Sequence, residues 1–172
     1  MNYAIKHGFI ESVKCFEKHG YFNILDIQII NSFLLFAAIG GSLEMVMYIR
    51  NFVKDINVTD DLSRSPLIIA AAGTDLSIVE YLIEQNANIE QTNNNGDTPL
   101  HVSIMFDRIQ IAKYLIEKGA RYDVSNFSYQ SALGLAIERK HTEIVQLLIN
   151  HGVDVNESNQ VSSFGIILFV IY

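Results

Sequence analysis

His101 is the side chain best placed for chemistry, three residues after the hydroxyl of Thr98 in the stretch Gly96-Asp97-Thr98-Pro99-Leu100-His101. An imidazole beside a hydroxyl can act as a base toward a nucleophile, but catalysis also needs an orienting acid that converges on the same cleft. No Gly-x-Ser-x-Gly, phosphate-binding loop, His-Glu-x-x-His or dinucleotide fingerprint accompanies it. A lone histidine is more often a hydrogen-bonded structural group than a catalyst. Cys15 and His19 lie four residues apart on a predicted helix and could begin a metal site, yet a structural zinc wants four ligands and only His7 is near. The expectation is therefore no catalytic residue, no metal and no cofactor.

The elements that carry these residues recur. A step of 33 residues links Ser32-Phe33-Leu34, Ser65-Pro66-Leu67, Thr98-Pro99-Leu100 and Ser131-Ala132-Leu133. The same step links Ala37, Ala70, Ser103 and Ala136, and again Ile49, Leu82, Leu115 and Leu148. A fixed period of this size marks a repeat array rather than a single globular core. In the clearest unit, Asn93-Asn94-Asn95-Gly96 is turn chemistry. Pro99 suits the first turn of a short helix that carries Leu100, Ser103 and Ile104. Ile109, Ile111, Ala112, Leu115 and Ile116 form the apolar face of a second helix, which Gly119 is placed to end. Asn86 and Gly152 take the ending position in the flanking units, and Val53 replaces it in another. Cys15 falls in register with Tyr48, Tyr81 and Tyr114, a predicted packing position.

With Thr98-Pro99-Leu100-His101 set in a 33-residue period, the chain resembles the ankyrin repeat family. The resemblance implies an all-α solenoid of about five stacked helix-turn-helix units joined by β-hairpin-like loops. One domain is expected over 1–172, with repeats at 27–59, 60–92, 93–125 and 126–158 between partial units at 1–26 and 159–172. It also implies that His101 bonds within and between loops, locally, because the other copies carry Leu35, Ile68 and Gly134 there.

The implied function is non-catalytic binding of a partner protein through the loop tips and the inner face of each first helix. Carried over by position, the contact residues are Asp61, Leu62 and Arg64, then Asn94, Asn95, Asp97, Met105 and Phe106, then Phe127, Ser128, Gln130, Glu138 and Arg139. The alternative for Met105 and Phe106 is packing against the neighbouring unit. Two other readings of the whole chain stay open: a regulatory or targeting segment of a larger protein, and a truncated product without independent function.

Composition narrows the partners. The formal charge is −7 and no Lys/Arg cluster stands out, so nucleic acid and anionic membrane are poor candidates. The single cysteine cannot form an internal disulfide, which favours a reducing compartment such as the cytoplasm. The 49% hydrophobic content fits units that each bury two sides. The apolar run Phe164–Tyr172 is too short to span a membrane. Phe169 at the small-residue position predicts crowding there, and self-association through this run of a chain otherwise expected to be monomeric.

Overall fold

The computed structural model describes residues 1–153. The expectations for 159–172 and for Phe169 lie outside the described residues. The elements run α1 (Asn2–Lys6), α2 (Ile10–Lys18), α3 (Tyr21–Ile24), α4 (Ile27–Gly40), α5 (Leu43–Arg50), α6 (Pro66–Ala72), α7 (Leu76–Glu84), α8 (Pro99–Met105), α9 (Ile109–Glu117), α10 (Ala132–Glu138) and α11 (Thr142–Asn150). The described residues contain helices and one isolated β-bridge, Ser125 to Ser131, and no strand.

Two rows of helices stack along the chain. First helices α4, α6, α8 and α10 pack in sequence, and second helices α5, α7, α9 and α11 pack beside them. Between adjacent first helices lie the small buried residues Ala37, Ala70, Ser103 and Ala136, which allow close approach. Ile49, Leu82, Leu115 and Leu148 are fully buried in the second row. The 33-residue spacing is thus the spacing of one continuous apolar core, in which each unit covers its neighbour. At the first pair, α1 packs on α4 and buries Ile5.

Helix starts follow local chemistry. The hydroxyls of Ser65, Thr98 and Ser131 each accept a hydrogen bond from the backbone N–H three residues on. Pro66 and Pro99 follow as the first helical residue, where a missing N–H costs nothing. Chain reversal after the second helices uses left-handed residues at Asn86, Gly119 and Gly152. Val53 leaves its unit without one.

Two expectations need correction. The unit at 27–59 has no hairpin loop, because α4 begins at Ile27, capped by the Asp26 carboxylate accepting from Gln28 N–H. In the later loops Ser63, Gly96 and Tyr129 turn the tip with positive φ; in register with them stands Ile30, a β-branched residue that resists that conformation. Phe33 has the N–H that Pro66 and Pro99 lack, so the helix runs through it. Cys15 is exposed rather than packed. Its counterpart Tyr48 reaches back to the Glu17 carboxylate of the preceding unit, and no unit lies on that side of Cys15 among the described residues.

Candidate binding surface of stacked hairpin loops

Three hairpin loops, at 60–64, 93–97 and 126–130, are built on one plan. Asp60, Asn93 and Asn126 begin them, spaced by 33. Each side-chain Oδ1 accepts two backbone N–H bonds: from Leu62 and Arg64, from Asn95 and Asp97, and from Ser128 and Gln130. Each loop is closed by the anchor's own N–H donating to the carbonyl of Arg64, Asp97 or Gln130. The tips then join one another. Asn94 N–H donates to Leu62 O at 3.1 Å, and Phe127 N–H donates to Asn95 O at 2.9 Å. The Asn94 side-chain amide adds a bond to Asp61 O at 3.1 Å.

This anchor series was legible in the sequence as an Asx residue every 33 positions and is absent from the residues expected to matter.

Beneath the tips lies a buried polar network. Asp97 is 2% exposed; its Oδ1 accepts from Asn126 Nδ2 at 2.8 Å and its Oδ2 from Asn93 Nδ2 at 3.2 Å. Asp97 is therefore withdrawn from the contact residues. It holds two loops together and has no surface to offer a partner. In the first loop Arg64 takes the same position and turns back on Asp60, at 2.7 and 2.8 Å. Burial works against the charge on Asp60, but the Arg64 side chain and the backbone N–H groups of Arg64 and Leu62 outweigh it and hold the carboxyl below its usual range.

His101 is fully buried. Its Nδ1 lies 2.8 Å from Thr98 Oγ1 and accepts from Thr98 N–H, while Nε2 donates to Gln130 O in the next loop at 3.2 Å. The bonds within and between loops are those that the family resemblance implied. With both ring nitrogens committed and no acid aimed at it, the imidazole has no free lone pair for catalysis. Burial lowers its pKa below the ordinary histidine value, against the opposing pull of Asp97. The unfolded chain therefore takes up this proton first. The His101 contribution is complete above about pH 6.5 and is lost as pH falls toward the lower folded-state pKa. His101→Gln is expected to cost about 1 kcal/mol at neutral pH and to flatten the loss of stability between pH 7 and 5, as measured by denaturant titration across that range.

The exposed residues sit on this frame. Asp61, Leu62, Asn94, Asn95 and Ser128 lie open at the tips. Phe127 and Tyr129 are each 74% exposed on the third tip. Tyr129 holds φ 59°, a left-handed geometry that costs a bulky residue about 1 kcal/mol. Tyr129 is a contact candidate that position matching missed, because Ser63 and Gly96 stand in register with it and carry no ring.

On the first helices, Phe106 is 51% exposed at the end of α8. Met105 is half-buried and packs on the core, so the pair splits between the two readings. Gln130 Nε2 donates to the Glu138 carboxylate at 3.2 Å, joining loop to helix. Arg139 and His141 both face Asp107 of the preceding unit, at 3.8 and 3.0 Å. Arg108, an odd residue for an inter-helix turn, donates from Nε to Ala72 O at the C-terminal end of α6.

Cys15 Sγ and His19 Nδ1 are 3.7 Å apart, and no third ligand completes a metal-binding group among the described residues. No helix among them is long and apolar enough to cross a membrane.

A family model for ankyrin repeats, in three copies, matches residues 34–126, and a single ankyrin repeat matches residues 128–160. No curated protein matches the chain.

Proposed function

Given that the chain belongs to the ankyrin repeat family, whose members generally mediate protein–protein interactions, we propose that it binds a partner protein through the tips of the three stacked hairpins and the adjoining ends of α8 and α10. One observation carries the reading: the loop backbones are tied to each other and to the Asp60, Asn93 and Asn126 anchors, while Leu62 and Phe127 on the tips and Phe106 at the end of α8 stay exposed. A surface already ordered before contact loses little conformational entropy on docking, which raises affinity for a given area. Aromatic side chains and arginine supply most of the energy at such interfaces, which singles out Phe106, Phe127 and Arg139. The role is non-catalytic, since the one buried histidine of these loops is spent on structure. With Cys15 free and exposed, a reducing intracellular compartment fits this role.

The test is to immobilise the full chain, capture its partner from the native cell, and measure affinity for the wild type and for Phe106→Ala/Phe127→Ala/Arg139→Ala. Circular dichroism runs in parallel. The triple variant keeps its helix content and loses at least about thirtyfold in affinity. Equal affinity with an intact fold contradicts the surface.

A further inference from the structure

Asn95–Gly96 is the chain's one Asn-Gly pair, and it stands at the tip of the middle hairpin. Glycine after asparagine is the pairing most open to ring closure, because no Cβ crowds the attacking nitrogen. We propose that Asn95 is a site of spontaneous deamidation which the stacked hairpins hold closed, so that conversion there records opening of the loop.

The reaction needs only solvent water. The Gly96 amide nitrogen gives up its proton and attacks Asn95 Cγ. A C–N bond forms, the Cγ–Nδ2 bond breaks, and ammonia leaves. Water then opens the five-membered imide. Cleavage at Cγ gives aspartate, and cleavage at the former peptide carbonyl gives isoaspartate, whose main chain runs through Cβ and Cγ. The sum is asparagine plus water to acid plus ammonia, with no change of oxidation state.

The fold holds the attacking nitrogen and the Asn95 backbone against this step. Gly96 N–H, the nucleophile's proton, is donated to Asn93 O at 2.9 Å. Asn95 is pinned on both sides, its N–H on Asn93 Oδ1 at 2.8 Å and its carbonyl on Phe127 N–H at 2.9 Å. Gly96 itself is buried, with the Phe127 ring and backbone nitrogen occupying the space that a Cβ would need. The Asn95 side chain is exposed, so water and the leaving group are not limiting. What limits closure is release of Gly96 from its bonds, a local opening of the hairpin. Either product places a negative charge on a proposed contact residue. Isoaspartate also lengthens the backbone by one atom and shifts the carbonyl that Phe127 N–H uses.

The experiment incubates the full chain at mildly alkaline pH, native and in denaturant, and follows Asn95 by peptide mass spectrometry with the isoaspartyl form separated. In denaturant Asn95 converts ahead of every other asparagine. In the native chain it converts at least about tenfold more slowly. Asn93→Ala, which removes the anchor oxygen, raises the native rate severalfold and leaves the denatured rate unchanged. If that variant loses helix content by circular dichroism, Phe127→Ala takes its place, uncovering Gly96 with the anchor intact. The proposal is overturned if the denatured chain spares Asn95, if native and denatured rates are equal, or if a folded variant of either kind converts no faster than the wild type.

Discussion

Replacing Asp97 by alanine is expected to destabilise the protein by about 2–4 kcal/mol, far more than any change at the neighbouring exposed tip positions. The carboxylate is buried and accepts from the side-chain amides of Asn93 and Asn126, which belong to different loops. Alanine takes the nearer acceptor from the buried Asn126 amide and the acceptor from the half-buried Asn93 amide, and a buried bond left unmade costs more than a made one contributes. Asn126 also orients Gln130, whose carbonyl accepts the hydrogen bond from His101 Nε2–H, so the loss spreads along the network. Asp97→Asn retains one acceptor and turns the other into a donor facing a donor, giving a smaller but definite loss. Asp61→Ala, at an exposed position one unit away, stays within about 0.5 kcal/mol. Urea titration of the three variants checks the order, and an Asp97→Ala midpoint equal to that of Asp61→Ala would refute the buried-network assignment.

Gly40→Ala is the second large effect. A Cβ built on Gly40 would lie 2.1 Å from Lys6 O and 2.8 Å from Lys6 C, both backbone atoms at the C-terminal end of α1. Side-chain rotation cannot relieve a collision with main chain, so α1 must shift or leave α4. Leaving exposes Ile5, now fully buried, which sets the scale at about 2–3 kcal/mol. Two outcomes are separable in a denaturant melt. A lower midpoint with an unchanged slope means a strained but docked helix. A lower slope means that α1 has already detached in the native state, because less surface remains to be exposed. A wild-type melt would show that the contact yields without cost.

The helix pattern was plain in the sequence because it depends on short-range chemistry repeated many times. Thr98-Pro99 and Ser65-Pro66 begin helices through a hydroxyl and a ring, and Asn86 and Gly119 end units through one left-handed residue each. His101 could be placed because Thr98 lies within the same turn. The surface was harder to read. Asp97 looked exposed because Arg64 and Gln130 share its position, and its burial depends on Asn126, 29 residues on. Only the recurrence of Asp60, Asn93 and Asn126 signalled the anchor. The sequence marks of the long α4 are Ile30 and Phe33, which do not supply the left-handed tip and the fresh helix start that Gly96 and Pro99 supply. Met105 and Phe106 are adjacent and both apolar, and only the turn of α8 decides that the first leans on the core and the second does not.

The loops proposed to meet a partner are ordered before any partner arrives. Amide hydrogen exchange on the free protein tests it at three backbone positions. Asn94 N–H and Phe127 N–H tie successive loops, whereas Asp61 N–H has no hydrogen-bond partner among the described residues. Asn94 and Phe127 are expected to exchange at least about a hundredfold more slowly than Asp61, near the rate of the α8 core. Exchange of all three at the rate of an unstructured peptide would contradict it.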